Sequence, residues 1–338
     1  MRRWLFPLLF FCLSPSSNVC ALEQRLELLN SSYPSVTGNM APLWIAKEKG
    51  LFEKHDLEVK LVNIASGVVS INALIAGDIQ IAAASGSSAV AAAAWGAPVV
   101  ILATFGPTPY KLVAQPPINS IQALKGKVIG TSRAGAGSDF ALRRLLSKLG
   151  LAPGRDVTVL PTGLSESDKR ILVMLQGKID ATIASPDSIA QFELRRQKVS
   201  VLADLLEMGI YTSGSVLAAT RQFLKNRRSL AKGFLAAFCE GIWVGRTDRE
   251  QTFEIYRKYM RVTDPVQLEI LRKTSILDRI PPKPYPQEEA VQVDIEDMLA
   301  GRPDLKAELK GKKPSDFIDS SLLKEMEKEK FFDRLYNR

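Results

Sequence analysis

The chain of 338 residues carries 45 lysines and arginines against 36 aspartates and glutamates, a formal net charge of +9. The basic residues are scattered among acidic ones and form no strip interleaved with aromatic residues, which argues against a nucleic-acid-binding protein. With one histidine and three cysteines, the sequence also lacks the clusters that zinc sites require.

The first 21 residues have the organisation of a secretory signal peptide. Arg2 and Arg3 precede an apolar run at 4–13, which is too short to span a bilayer, and residues 19–21 fit a small-residue cleavage site. We predict a signal peptide at 1–21, a mature chain from Leu22 and a periplasmic location. A retained membrane anchor and a lipid-modified Cys20 are the alternatives. No second long apolar segment follows, so we expect no stable membrane insertion after cleavage.

Strands and helices alternate through the first hundred residues of the mature chain. The pattern predicts strands at 26–30, 57–62, 79–84 and 99–104, and helices at 68–76, at 89–95 and from about Pro42 to Gly50. Proline suits the first turn of a helix because its missing N–H has no partner there. We assign these elements to a first lobe that begins at residue 22 and runs to residue 109.

Residues 106–109, rich in glycine and proline, predict a crossing to a second lobe at 110–210. Its expected strands are 110–114, 157–160 and 179–184, with a short helix and a strand within 121–130. Its expected helices are 139–149, 165–176 and 186–196. Ser165 and Asp168 have the spacing of a capping box for the second of these helices.

The remaining residues, 211–338, are predicted to rejoin the first lobe through a strand at 215–219. Helices are expected at 224–244, 252–260, 265–277 and 287–299, and the charged segment 306–338 is expected to be a solvated terminal helix. Cys239 lies in an apolar run and is expected in the core. His55 lies in a charged turn and is expected in solvent.

Two stretches one hundred residues apart, 74–85 and 174–185, have matching residues at equivalent positions. Gly77 matches Gly177, and the serines that end the two stretches, Ser85 and Ser185, match as well. Each stretch predicts a helix end, a glycine in the left-handed region, a buried strand and a serine at the carboxyl end of that strand. The similarity between the two stretches favours two similar lobes, although sequences with alternating strands and helices also contain similar stretches by chance.

Five segments carry a family resemblance: 42–59, 73–82, 96–99, 124–130 and 175–181. Their order over residues 26–260 resembles the solute-binding proteins of bacterial ABC importers, in the group of sulfonate, taurine, nitrate and thiamine-pyrimidine-precursor binders. Asp56 stands where these proteins usually have glycine. We expect a positive φ there, which aspartate tolerates better than most residues.

The resemblance implies a type II periplasmic binding fold of the α/β class. Each lobe would be a mostly parallel sheet flanked by helices, with two crossings between the lobes and further helices at the carboxyl end. It also implies a monomer that closes like a hinge on a small solute and then contacts the membrane subunits of an importer.

Candidate binding residues follow from the junctions between strands and helices, where helix amino-ends offer unpaired N–H groups and a partial positive charge. The family's ligand contacts fall on corresponding junctions, and simple N-capping is the alternative for each serine. In the first lobe these candidates are Thr37, Gly38, Asn39, Met40, Ser66, Gly67, Ser85, Gly86, Ser87 and Ser88. In the second lobe they are Ser132, Arg133, Gly135, Ala136, Gly137, Ser138, Gly163, Leu164, Ser185, Pro186 and Asp187.

Two charged candidates bear on the solute. Arg133 is a candidate partner for an acidic group of the solute, since a guanidinium forms bidentate hydrogen bonds with such a group. A solvent-exposed Arg133 without a role in binding is the alternative. Asp187 suits an amine, although the start of a helix already favours an acid. Tyr33 and Tyr211 are candidates for stacking on a ring, and Trp44 is expected in the core.

These observations predict a receptor that binds a small, anionic or zwitterionic organic solute, with no catalytic residue, metal or cofactor. The glycines at 135 and 137 lack the full spacing of a dinucleotide-binding loop. A serine triad would depend entirely on His55. An enzyme of the same fold and a soluble sensor for a signalling system remain the alternative functions.

Overall fold

A computed structural model describes residues 26–301 and 303–337. The predicted signal peptide and its cleavage site lie outside these residues. Two five-stranded mixed sheets, flanked by helices, form the protein. The strands are β1 Glu27–Tyr33, β2 Leu57–Asn63, β3 Ile81–Ser85, β4 Val99–Thr104, β5 Lys111–Ala114, β6 Val128–Thr131, β7 Thr158–Pro161, β8 Ala181–Ala184, β9 Ser200–Asp204 and β10 Ser215–Thr220.

The two sheets have the same topology. The first has the order β2-β1-β3-β10-β4 and the second the order β7-β6-β8-β5-β9. In each sheet, one strand (β10 or β5) is antiparallel to both of its neighbours, and the other pairs are parallel. Each reversed strand follows a segment that crosses between the sheets, 105–110 before β5 and 205–214 before β10. The predicted α/β class with two mostly parallel sheets is confirmed.

The α-helices cover the faces of both sheets. They are α1 Ala41–Glu48, α2 Gly67–Ala76, α3 Gly86–Ala94, α4 Gly137–Lys148, α5 Ser167–Leu175, α6 Pro186–Leu194, α7 Arg221–Asn226, α8 Arg228–Thr247, α9 Arg249–Met260, α10 Pro265–Arg272, α11 Glu288–Gly301, α12 Ser321–Lys328 and α13 Phe331–Tyr336. None of the helices within the described residues combines the length and apolar character that a membrane crossing requires.

The two similar stretches one hundred residues apart, 74–85 and 174–185, occupy equivalent positions in the two sheets. Gly77 ends α2 with φ +88°, and Gly177 follows α5 with φ +74°, both in the left-handed region. β3 and β8 occupy the centre of their respective sheets. Asp56 has φ +61°, as predicted from the family pattern.

The largest apolar core lies between the first sheet and helices α1 and α8. Trp44 is fully buried there and stacks on Tyr259 at 4.6 Å between ring centroids. Cys239 is also fully buried in α8. Both residues therefore lie in the core, as predicted.

Three local predictions were wrong. Glu166, not Ser165, is the N-cap of α5, and no side chain caps that helix. His55 is only partly exposed, since its Nε2 lies 3.3 Å from the carboxylate of Glu240. The charged segment 306–338 is not a single solvated helix. Its short helices bury apolar residues against two separate apolar cores: Phe317, Leu322, Leu323, Met326, Phe332 and Leu335.

Candidate functional site

A cavity of about 90 Å³ lies between the carboxyl ends of strands from both sheets. The segments after β1, β2 and β3 contribute from one side, and the segments after β6 and β7 contribute from the other. Both crossings border the cavity. The lining residues are Pro34, Ser35, Ser66, Gly67, Ser85, Ser87, Thr108, Tyr110, Ser132, Arg133, Ala136, Gly137, Ser138, Phe140, Ser165, Thr212, Ser213, Gly214, Ser215 and Asp294.

Three helices begin at this cavity. The first residues of α2 and α3 come from the first sheet's side, and those of α4 come from the second. Within the described part of the chain, the backbone N–H groups of Gly67, Ser87, Gly137 and Ser138 donate to no acceptor. Unpaired N–H groups and three helix dipoles therefore face one small space, which suits a negatively charged or acceptor-rich group.

Small residues let these helix ends approach each other. A Cβ added at Gly67 would lie 2.9 Å from the backbone nitrogen of Ser85, and one at Gly137 would lie 3.3 Å from the Ser85 side chain. The backbone N–H of Gly86 is already occupied, because it donates to the carbonyl of Gly214 in the second crossing, 2.9 Å away. The crossing is thereby attached to the start of α3.

The serine hydroxyls at these junctions form hydrogen bonds within the protein, and two of them cap helices. The Ser85 hydroxyl accepts from the backbone N–H of Ser88 at 3.3 Å and lies 2.6 Å from the Ser88 hydroxyl. The Ser132 and Ser138 hydroxyls are 2.8 Å apart, and Ser138 also accepts from the Ser132 N–H. The capping interpretation therefore holds for Ser66 and Ser85, which cap α2 and α3, but not for Ser138 or Ser185, since no side chain caps α4 or α6.

Two charged side chains face the cavity. Arg133 is exposed, and its Nε donates to the carbonyl of Ala65 at 3.3 Å. Asp294, from α11, is only 3% exposed and accepts a hydrogen bond from the Ser213 hydroxyl. Burial raises the pKa of Asp294 to about 7, although the Ser213 hydrogen bond acts in the opposite direction.

Polar contacts join the two sides around the cavity. The Ser165 hydroxyl donates to the carbonyl of Ala65 at 3.0 Å, and the Ser88 hydroxyl donates to that of Gly135 at 3.5 Å. An ion pair of 2.9 Å connects Arg144 of α4 with Asp297 of α11. The two sides therefore touch, and the space between them is narrow.

Arg170, in α5, organises the loop that carries Ser165. It is 1% exposed, and its Nη1 donates to the carbonyls of Leu164 and Ser165, each at 2.8 Å. Its Nη2 donates to the carbonyl of Ile183 at 2.9 Å, at the end of β8. One buried guanidinium thus connects this wall of the cavity to the centre of the second sheet.

The predicted residues separate into two groups. Those at the cavity are Ser66, Gly67, Ser85, Ser87, Ser132, Arg133, Ala136, Gly137 and Ser138. Those that do not line it are Thr37, Gly38, Asn39, Met40, Gly86, Ser88, Gly135, Gly163, Leu164, Ser185, Pro186 and Asp187. Thr37 and Asp187 line a separate cavity of about 220 Å³.

Several residues outside the cavity support those that line it. Asn39 donates to the Ser215 hydroxyl at 3.3 Å, and Gly163 donates to the carbonyl of Ser132 at 2.7 Å. Gly38 packs so closely that an added Cβ would lie 2.5 Å from the Ser275 hydroxyl. Met40 is fully buried.

Sequence reasoning missed the contributions of the crossings and of α11. Thr108 and Tyr110 follow a glycine–proline segment that the sequence does mark as a crossing. Nothing in the sequence marked Asp294 as a site residue, because it is one of several acidic residues in a helix far along the chain. Tyr211, a candidate for stacking, lines a neighbouring apolar cavity of about 400 Å³ instead.

Comparison with known proteins gives consistent matches. Residues 37–244 match the family model described as NMT1/THI5 like. The chain is 30% identical over 276 residues to a putative aliphatic sulfonates-binding protein from Escherichia coli strain K12, covering 80% of this chain and 81% of that protein.

Solved structures share the fold. The periplasmic aliphatic sulphonate-binding protein SsuA from Escherichia coli matches with a TM-score of 0.65 and 23% identity, covering 88% of this chain and 99% of that one. The periplasmic nitrate-binding protein NrtA from Synechocystis PCC 6803 matches with a TM-score of 0.66 and 15% identity, covering 89% and 88%.

Proposed function

Because the chain belongs to the NMT1/THI5-like family, we propose that it is an extracytoplasmic receptor that binds a small organic solute and delivers it to an ABC importer. Relatives named as sulfonate-binding proteins support this function rather than catalysis. We further propose that the solute carries an acidic group, such as a sulfonate or carboxylate.

The convergence of three helix amino-ends on one cavity carries the proposal. Gly67, Ser87, Gly137 and Ser138 offer N–H groups that nothing else in the described residues occupies. Fixed main-chain donors hold an anion without a metal and without a buried counter-charge. A buried unpaired donor costs about 1–3 kcal/mol, so an acceptor supplied by the solute offsets that cost.

The solute would be held by closure of two lobes, 22–109 with 211–338 and 110–210. Within residues 26–301 and 303–337, only two segments, 105–110 and 205–214, connect the sheets, and hinges of this kind absorb motion in a few loop residues. The polar contacts around the cavity join groups from both sides, as a closed form requires. We propose that this form is a monomer that importer membrane subunits recognise, after signal-peptide cleavage and in the periplasm.

A thermal-shift screen of the mature protein against sulfonates, carboxylates, nitrate, pyrimidines and aromatic acids tests this function. A solute that binds only the folded protein stabilises it by mass action and so raises its melting temperature. At a solute concentration of one hundred times the Kd, the free energy of unfolding increases by about 2.7 kcal/mol. We expect a shift with at least one acidic solute and none with its neutral amide. Turnover of a solute without any stabilisation would instead support an enzyme of this fold.

Replacing Arg133 with alanine is expected to weaken binding of the acidic solute about three- to tenfold, because a charge-assisted hydrogen bond at an exposed position contributes about 1 kcal/mol. The affinity for a neutral analogue should stay unchanged. Titration calorimetry measures both. Arg155→Ala is the control, since Arg155 is exposed and pairs with its neighbour Asp156. Equal affinity for the acid before and after the Arg133 change would remove this residue from the site.

A further inference from the structure

A buried carboxyl group from the carboxyl-terminal part of the chain forms one wall of the cavity. Asp294 lies in the middle of α11, is 3% exposed and lines the same space as the helix amino-ends. A buried carboxyl group in a cavity otherwise built for an anion needs an explanation, because like charges at short range repel strongly where water is excluded.

The position of this carboxyl group is fixed by the second crossing and by α3. Its Oδ2 accepts a hydrogen bond from the Ser213 hydroxyl. An ideal Cβ on Gly86 would lie 3.3 Å from the same oxygen, so the carboxyl group lies against the first residue of α3. The positive end of α3 therefore already faces an acidic group of the chain itself.

The opposite side of the cavity has the opposite character. The unpaired N–H groups of Gly137 and Ser138 start α4, and Arg133 lies on the same side. An acid group of the solute is therefore favoured toward α4, whereas a group near α3 meets Asp294. The cavity has a positive pole and a negative pole.

We propose that Asp294 contacts the solute and selects molecules that carry a protonated amine in addition to their acid group, namely small zwitterions. This inference rests on the proposed function and adds the class of solute to it. The amine donates to the Asp294 carboxylate while the acid group accepts from the helix amino-ends. An acid without an amine gives the buried carboxylate no positively charged partner and brings a second negative charge close to it.

Two features near Asp294 agree with a polar group of the solute at this end. Thr212 lines the cavity and is 9% exposed, and its hydroxyl has no hydrogen-bond partner in the described part of the chain. The pKa of Asp294 of about 7 means that an adjacent ammonium group would shift the carboxyl group to its ionised form. The Thr212 hydroxyl is free to accept a second N–H from the same ammonium.

Asp297, one turn farther along α11, serves as the matched control. Its carboxylate pairs with Arg144 at 2.9 Å, and it does not line the cavity. Asp297→Asn removes a charge from the same helix and weakens a contact between the two sides. We therefore expect it to reduce the affinity for every solute by a similar factor.

The test uses pairs of solutes that differ only in the amine: 2-aminoethanesulfonate with ethanesulfonate, and 3-aminopropanoate with propanoate. Calorimetry on the mature wild-type protein should show at least tenfold tighter binding of one amino compound than of its partner. Asp294→Asn should reduce affinity for that amino compound at least tenfold and leave the simple acid unchanged or bound more tightly. Asp297→Asn should keep the wild-type preference.

The outcomes separate this inference from the proposed function. If simple acids bind the wild-type protein as tightly as their amino partners, or if Asp294→Asn keeps the preference, the inference is wrong and the receptor function stands. If neither these compounds nor the solutes of the wider screen bind, both are wrong. The comparison of each amino compound with its simple acid on the wild-type protein tests the inference even if Asp294→Asn fails to fold.

Discussion

Replacing Gly214 with alanine is expected to destabilise the protein by about 2–5 kcal/mol. Gly214 has φ +63°, which costs a residue with a side chain about 1–2 kcal/mol. An added Cβ would lie 2.1 Å from the carbonyl oxygen of Gly106, in the other crossing, and overpacking of this kind costs about a further 1–3 kcal/mol. Both costs arise where the two crossings touch.

Chemical denaturation of the wild-type protein and the variant measures the change in stability. Gly150→Ala is the matched control, because Gly150 has φ +68° but no atom within 4 Å of an added Cβ. It should show the backbone cost alone. The difference between the two variants therefore isolates the contact between the crossings. Equal losses in the two variants would mean that the crossings separate at no cost.

The Gly214 change should also weaken solute binding. The carbonyl of Gly214 accepts from the N–H of Gly86, and the neighbouring residues Ser213 and Ser215 line the cavity. A displaced crossing moves these groups away from the start of α3. Under conditions where the variant is folded, we expect a weaker affinity for any solute, whether or not it carries an amine.

Replacing Arg170 with methionine is the second change with a large expected effect, a loss of about 3 kcal/mol or more in stability. The buried carbonyl of Ile183 and the partly buried carbonyls of Leu164 and Ser165 would each lose a charged donor. Methionine fills similar space but donates nothing. Because the loop at Ser165 would shift, solute affinity should fall in parallel with stability.

Two further variants make this measurement specific. Lys169→Met changes the adjacent, 57% exposed side chain of the same helix and should alter stability by about 0.5 kcal/mol or less. Arg170→Lys keeps the charge but not the planar fork, so it should recover only part of the loss. Full recovery by lysine would show that the charge, not the set of hydrogen bonds, stabilises this loop.

Much of the fold follows from local patterns in the sequence. The glycines that end α2 and precede β8 mark equivalent positions in two sheets, and proline marks the start of α1. Such signals depend on residues close together in the chain, which constrain the backbone directly. The segments that carried the family resemblance include these same positions.

The candidate site was only partly predictable, because its geometry depends on which helix ends meet. The sequence offered six junctions of similar composition, and three of their helices begin at the cavity. The helix that follows Ser185 begins elsewhere, near a separate space that Asp187 lines. Nothing local distinguishes these junctions, since the distinction arises from the relative placement of the two sheets.

Long-range contributions were the least predictable. In the chain, Asp294 lies more than eighty residues after the last strand of the second sheet. Its hydrogen-bond partner Ser213 lies 81 residues before it. The apolar residues of the final segment are hidden among charges, so its composition predicts solvent exposure where the structure shows packing.

The burial of Cys239 has a consequence for the chemistry of the folded protein. Its thiol is fully buried, and burial raises its pKa far above that of a free cysteine. The reactive thiolate is therefore almost absent while α8 stays packed. Oxidants therefore react slowly with Cys239 in the folded protein, and a glutathione adduct or an intermolecular disulfide at Cys239 would mark molecules that have lost their native structure.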